Sequence, residues 1–238
     1  MAMEKREMIF LGALVVSLLL VGYFGLQVGS LKSQVTSANS QVTDLQSQLS
    51  KEKLNINSKA DLFDAKFHDL LQEHTTLLIN TARRSVDSQV SFNDSLNALQ
   101  RNVNDVSDQI TGLYGADIGN QFKVLWNRKV GIVLNYTNAI KTNDPTANSV
   151  FAAAAAQYEE DKATFWSNTN NALPNLDKAA MKQLITTHLN DVKTAIDYWN
   201  VKDFPNYFNA LHAAYIQMGS YADILVQGMI DQNPDKFK

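Results

Sequence analysis

This sequence predicts an all-α protein: an N-terminal transmembrane helix, a short coiled-coil-like stalk, then a bundle of about six helices arranged as three repeated antiparallel hairpins. Three observations carry that expectation. The run Met8–Leu26, MIFLGALVVSLLLVGYFGL, passes nineteen residues without a charge. As a helix it spans about 28 Å, close to the hydrocarbon thickness of a bilayer. Beyond residue 60, apolar residues recur at helical spacing through long segments. Only four prolines occur in 238 residues, long segments lack glycine, and no segment reads as a strand. The expected division is residues 1–7 as a cytoplasmic tail, 8–29 as the anchor, 30–58 as a helical stalk and 59–238 as an extracytoplasmic bundle.

Lys5 and Arg6 precede the apolar run, and the next basic residue is Lys32. That bias places the N-terminus in the cytoplasm and the rest of the chain outside, as a single-pass membrane protein. The competing reading is a cleaved signal peptide. The run is longer than an ordinary signal core, and no small-residue cleavage site follows it in GYFGLQVGS, which favours an uncleaved anchor. A seven-residue tail is too short to be a signalling domain.

The stalk reads SLKSQVTSANSQVTDLQSQLSKEKLNI over residues 30–56. Leu31, Val35, Ala38, Val42, Leu45 and Leu49 follow one another at intervals of 4, 3, 4, 3 and 4, the a/d pattern of a coiled coil. Charged residues that would fix pairing are nearly absent. The stripe fits a parallel self-associating stalk, and it equally fits a spacer helix packed on its own domain or on a neighbour.

Six amphipathic segments follow. The first carries Phe63, Phe67, Leu70, Leu71, His74, Leu77 and Leu78 on one face. A break at Ser88–Ser91 follows, with Ser91 as a cap and Asp94 three residues on. The second carries Leu96, Leu99, Val103, Val106 and Ile110, and GLYGADIG (Gly112–Gly119) is expected to turn the chain. The third carries Phe122, Leu125, Trp126, Val133, Tyr136 and Ile140. Asn143-Asp144-Pro145 ends it, with Asp144 expected to cap the next helix and Pro145 at its first position. The fourth runs through Ala152–Ala156 to Tyr158, Phe165 and Trp166, and Asn171-Ala172-Leu173-Pro174-Asn175 breaks it. The fifth carries Met181, Leu184, Ile185, His188, Val192, Ile196 and Trp199. The sixth starts near Asp203-Phe204-Pro205 and carries Phe208, Leu211, Tyr215, Met218, Ala222, Leu225 and Met229.

The odd-numbered segments share a motif. Phe67-x-x-Leu70-Leu71-x-x-His74 aligns with Phe122-x-x-Leu125-Trp126-x-x-Lys129 and with Met181-x-x-Leu184-Ile185-x-x-His188. The apolar matches follow from any amphipathic helix; a polar residue recurring inside the stripe is less trivial. His74 and His188 are therefore expected to be buried, with Lys129 at the equivalent place. Asn102 and Asp105 lie beside the second stripe, Gln217 and Asp223 beside the sixth. One reading gathers His74, His188, Asp105 and Asp223 into a ligand- or metal-binding centre, with Asn102, Lys129 and Gln217 completing a polar core. The structural reading makes them a satisfied network that fixes helix register. Lys129 argues against a metal, since an ammonium beside a cation raises its cost, and an ion pair to Asp105 or Asp223 is the simpler expectation. His68 and His212 are expected at stripe edges, and Glu159-Glu160-Asp161 on a solvated face.

Residues 1–56 hold 5 basic and 4 acidic residues and the remainder 16 and 20, so the bundle is mildly acidic with no basic cluster, which argues against nucleic acid. The absence of cysteine excludes disulfides, thiolate metal sites and thiol catalysis together. No phosphate loop, nucleophile elbow or paired catalytic carboxylates are visible, and no cofactor is required. Two glycosylation tripeptides occur, Asn93-Asp94-Ser95 and Asn135-Tyr136-Thr137; on an outward-facing domain Asn93, near a helix start, is the better candidate, and the signal is weak because such tripeptides are common by chance.

Leu71 to His74, Asn102 to Asp105, Leu113-Tyr114-Gly115 through Gly119, Leu173-Pro174-Asn175, Leu184 through His188-Leu189, Ala222-Asp223 and Pro234-Asp235-Lys236-Phe237 form a string. In that string the chain resembles a prokaryotic family of exported or membrane-anchored helical-bundle proteins. Its pattern runs L-x-x-H, N-x-x-D-I-G, Y-Y-G, N-P-N, M-A-D and F-P-x-K-F. The resemblance covers about residues 67–237 and implies a helical fold without a defined activity. Where the family often has histidine, this chain has Lys129 and Gln217, which weakens a shared histidine-based metal or redox role. Two functional expectations result. The first is an anchored structural or interaction protein, such as an accessory subunit of a membrane or cell-envelope complex. The second is a ligand- or metal-binding bundle.

Overall fold

The computed structural model describes residues 32, 34–48, 58–168 and 176–238. All regular structure among them is helical. The chain divides into two compact units, residues 1–57 and 58–238. In the first unit, residues 34–48 form an exposed helix. The run Met8–Leu26 and the break Asn171–Asn175 lie outside the described residues. No helix among the described residues is long and apolar enough to cross a membrane.

The second unit holds six helices: α1 (Lys59–Val86), α2 (Phe92–Tyr114), α3 (Ala116–Lys141), α4 (Ala147–Ser167), α5 (Lys178–Asn200) and α6 (Phe204–Gln232), then a 3₁₀ turn at Pro234–Lys236. Each helix packs on its neighbour in sequence, and α6 closes the ring against α1. The alternate helices α1, α3 and α5 also pack on one another, so they form the inner wall of the ring.

Local chemistry sets the helix ends. The side chains of Ser58, Asp177 and Asp203 accept from the backbone N–H of Asp61, Ala180 and Asn206 at 3.1, 2.7 and 3.3 Å, as N-caps do. Ser91 precedes α2 but makes no side-chain cap, because its hydroxyl accepts from Arg84. The cap of α4 is Thr146 rather than Asp144, whose carboxylate instead accepts from the Thr146 N–H at 2.8 Å. The Gly112–Gly119 stretch is not an extended turn. Helix α2 runs to Tyr114 and α3 starts at Ala116, so Gly115 alone, at φ 85°, reverses the chain. Gly119 then lets α3 lie against α2: a Cβ there would meet Thr111 Oγ1 at 1.9 Å.

The predicted stripes of α1 to α5 face the core, with Phe63, Leu77, Leu96, Leu125, Ile140, Leu184 and Trp199 at its partly covered edge. The N-terminal half of α6 departs from expectation. Tyr207, Ala210 and Ala214 face inward, while Phe208 and Tyr215 are exposed. The inward set is rotated by one residue, about 100° of helix, from the expected one. The C-terminus closes the bundle: the Phe237 ring packs on Phe63 at 5.2 Å, and Lys236 donates to the carbonyls of Leu113 and Gly112 at the end of α2.

Candidate functional site

An aromatic spine runs from α3 of the inner wall to α4 and α6. Phe122 stacks on Trp126 at 5.0 Å and tilts against Trp166 at 5.7 Å, and Trp166 donates its indole N–H to the Tyr221 hydroxyl at 2.6 Å. Four basic side chains are buried against this spine: His74 from α1, Lys129 from α3, Lys162 from α4 and His188 from α5.

His74 is fixed from two sides. Its Nδ1 lies 3.0 Å from Asn102 Oδ1 and 3.0 Å from the Trp126 indole nitrogen. Asn102 is itself oriented, since its amide donates to the Leu70 carbonyl at 2.9 Å and to Glu73 at 2.8 Å. Its oxygen therefore faces the imidazole. One nitrogen cannot donate to Asn102 and accept from Trp126 together, so the two contacts compete for the position of one proton. Nε2 is buried without a partner. Burial, then the charges of Lys129, His188 and Lys162, hold the His74 pKa well below the usual histidine value, while Asn102 opposes them.

Lys129 Nζ sits 3.7 Å from the Trp126 ring centre and makes no hydrogen bond. Lys162 is completely buried in a cage of ring faces, 3.7 Å from Phe122, 4.7 Å from Trp126, 4.9 Å from Trp166 and 5.2 Å from Phe165, again without a hydrogen bond. Ring faces attract a cation by about 0.5–2 kcal/mol. Burying an unpaired ammonium costs more than that, which favours the neutral amine. Burial accordingly drives both lysines well below the usual lysine range, and for Lys162 the neighbouring Lys129 charge adds to the effect.

His188 is the least engaged of the four. Neither ring nitrogen closes a hydrogen bond of normal geometry. Gln217 and the Ala214 backbone are near enough to favour its charged form, but burial and the Lys129 charge outweigh them and lower its pKa well below the usual value. Gln217 is turned away at one end, donating to the Leu184 carbonyl at 2.8 Å, and its Oε1 is left unpartnered. Lys129, His188, Trp126, Tyr158, Met218 and Tyr221 border a cavity with room of about 10 Å³ for the centre of a water, roughly one molecule. Unpartnered buried atoms outside this centre are fewer: Thr81 Oγ1, and one nitrogen each of Arg83 and Arg128.

The structure therefore brings His74, Asn102, Lys129, His188 and Gln217 into one neighbourhood and leaves Asp105 and Asp223 out of it. Asp105 is exposed, and Asp223 faces outward to pair with His68 Nε2 at 3.1 Å. Each is one residue, about 100°, off the inward face defined by Val103 and Val106 or by Ala222 and Leu225. The expected ion pair from Lys129 to either is not formed. Among the described residues, no three His, Cys, Asp or Glu side chains gather as a metal centre needs.

Lys162 was not expected in the core. It stands four residues after Tyr158 and four before Trp166, inside the aromatic stripe of α4, so the periodicity held the clue. The acidic run before it obscured that clue. Glu160 pairs with Lys178 and Lys182, and Asp161 with Arg128 at 2.7 Å, but the helix then turns Lys162 inward and keeps Glu159 nearly buried. His212 is exposed, and so are the candidate glycosylation residues Asn93 and Asn135. No protein-family model, curated protein or solved structure matches the chain.

Proposed function

We propose that this protein is a membrane-anchored, extracytoplasmic helical bundle that binds a small ligand at its buried centre. One observation carries the reading: buried polar atoms of His74, Lys129, Lys162, His188 and Gln217 have no protein partner. An unpaired buried polar group costs about 1–3 kcal/mol, and native cores hold few of them. A core selected for stability alone would replace such groups with apolar ones. Three of these positions, His74, Lys129 and His188, are those that the shared motif aligns, which fits hairpins that are copies of one unit, each sending a polar group to the centre. The Met8–Leu26 run would tether the bundle at a membrane and the stalk would hold it away.

The test is Lys129→Met in the full-length chain in detergent, followed by thermal and chemical unfolding. An amine kept for binding is a burden on the fold, so the variant is expected to gain about 1–3 kcal/mol. A loss of more than about 1 kcal/mol would show that the amine serves packing, and the binding reading would fall.

Residues 34–48 favour a second reading, an interaction subunit assembled through its stalk. Val35, Val42 and Leu45 are 58, 51 and 62 % exposed along the heptad stripe, where a partner helix would place its knobs. Sedimentation of the detergent-solubilised chain should report an oligomer that Val42→Asp dissociates. A wild-type protein sedimenting as one chain would dispose of self-association.

A further inference from the structure

The composition of the buried centre constrains the charge of what it can hold. Every polar group that borders the cavity offers hydrogen: the Lys129 amine, the His188 imidazole, and the hydroxyls of Tyr158 and Tyr221. The groups behind them are of the same kind. Lys162 and His74 both lie against Trp126, the indole wall of the cavity. From α2 comes Asn102, and α6 adds Gln217 and Tyr221. No carboxylate borders the cavity: Glu73 is bound to Asn102 at the exposed side, Asp105 and Asp223 face solvent, and the buried Glu159 of α4 lies beside Ala155, Asn190 and Lys193, acting on Tyr158 only through its charge, which Arg128 opposes. A divalent cation there would meet no carboxylate among the bordering groups to offset its two charges. An anion would accept hydrogen bonds from all the bordering groups and favour protonation of its neighbours.

We propose that the cavity bordered by Lys129, His188, Tyr158 and Tyr221 binds a small monovalent anion of halide or nitrate size. This inference rests on the ligand-binding reading given above and names the ligand's chemistry. Size supports the assignment, because room for about one water centre excludes phosphate esters, sugars and carboxylic acids of several carbons. Binding draws in a proton. The anion enters with one negative charge, Lys129 takes up one proton from solvent, and the buried pair is neutral overall. The remaining bases, His74, Lys162 and His188, stay as neutral donors around it. Anion affinity should therefore fall as pH rises.

The experiment uses the full-length wild-type chain in detergent, with ionic strength held constant by gluconate, which is too large for the cavity. Bromide is titrated in while the melting temperature and the proton uptake of a weakly buffered solution are recorded. The expected result is a saturable rise in melting temperature, following the mass-action form for a ligand of the folded state, with uptake of about one proton per chain. Lys129→Met should abolish both responses. Wild-type melting that ignores bromide, or a rise that is linear, pH-independent and shared by Lys129→Met, overturns the inference. Stabilisation by zinc or copper in place of bromide also overturns it, in favour of a metal. If Lys129→Met gains stability and bromide has no effect, the anion is wrong while a ligand-binding centre still stands. If Lys129→Met loses stability, both fall.

Discussion

The lysines and arginines at the edge of the bundle and those at its centre live under opposite rules. At the edge several are paired with acids. Arg128 meets Asp161 at 2.7 Å, Lys182 meets Glu160 at 3.0 Å, Lys193 meets Asp197 at 2.6 Å, and Lys202 meets Asp87 at 2.8 Å, where Trp199 also donates to the same carboxylate. At the centre, Lys129 and Lys162 have ring faces and no acid. The chain has 24 Asp and Glu residues, so the missing partners do not reflect a shortage. Helix phase separates the two regions: on α4, Asp161 points out to Arg128 and Lys162, one residue later, points in. The difference teaches that the centre is specified as basic, not merely polar.

The broadest way to break this comparison is pH, because four central groups act together. Their folded pKa values lie below the unfolded ones, near 6.5 for histidine and 10.5 for lysine. Between folded and unfolded values the unfolded chain holds more protons, so stability rises with pH. The contribution of each group is complete above its unfolded pKa and is lost as pH falls toward its folded one. Tyrosines set the upper limit. Burial pushes Tyr114 up to about 12 and raises Tyr158 and Tyr221 further, so their contribution is complete below pH 10 and fades above it. Without added anion, the melting temperature should climb from pH 5 to about pH 10 and then turn down. A flat profile between pH 6 and pH 9 would mean that the centre does not titrate on unfolding.

Single substitutions sharpen the comparison by sign. Lys162→Met puts an apolar chain of similar length into the aromatic cage and should raise stability by about 1–3 kcal/mol. The same change at Lys193 removes the partner of Asp197 and should lower it slightly. If both changes destabilise, centre and edge do not differ in kind. Asn102→Ala tests a hydrogen-bonded part of the centre. It removes the contact to His74 Nδ1 and the donor to the Leu70 carbonyl, and should cost about 1–3 kcal/mol. Chemical denaturation of the purified variants measures all three.

Much of this arrangement could be read in advance, with one systematic limit. His74, Lys129 and His188 occupy stripe positions, and a residue within a stripe has its direction set by its apolar neighbours three and four away. Asp105 and Asp223 were only beside a stripe, where a rotation of 100° decides between core and solvent and sequence spacing does not. The same ambiguity sent Phe208 and Tyr215 outward and Tyr207 inward on α6. Lys162 was legible from Tyr158 and Trp166, yet three acids before it suggested a solvated face. The Gly112–Gly119 stretch marked a turn correctly. That Gly115 alone makes the reversal depends on how closely Gly119 lets α3 approach Thr111, a tertiary fact. Which helices meet across the ring is likewise a property of packing, so the convergence of the three motif residues was open to structure alone.

The smallest expected effect is the control that gives the others meaning. Arg128 and Asp161 are each a little over one-third exposed, 39 and 38 % by side chain. Water and salt screen such a pair, and ordering two side chains offsets part of the attraction. Gln157 donates to the other carboxylate oxygen at 2.9 Å, and the Arg128 guanidinium also lies over the Tyr158 ring at 5.5 Å, so neither partner depends on the ion pair alone. Asp161→Asn keeps the shape and a carbonyl acceptor, and should lower stability by less than about 1 kcal/mol, with the loss shrinking in high salt. Asp161 is also the residue next to Lys162. A larger loss at Asp161 would mean that its charge reaches the buried amine through the helix and helps set its state. Centre and edge would then be one electrostatic system, and the basic character of the centre would have to be explained by both.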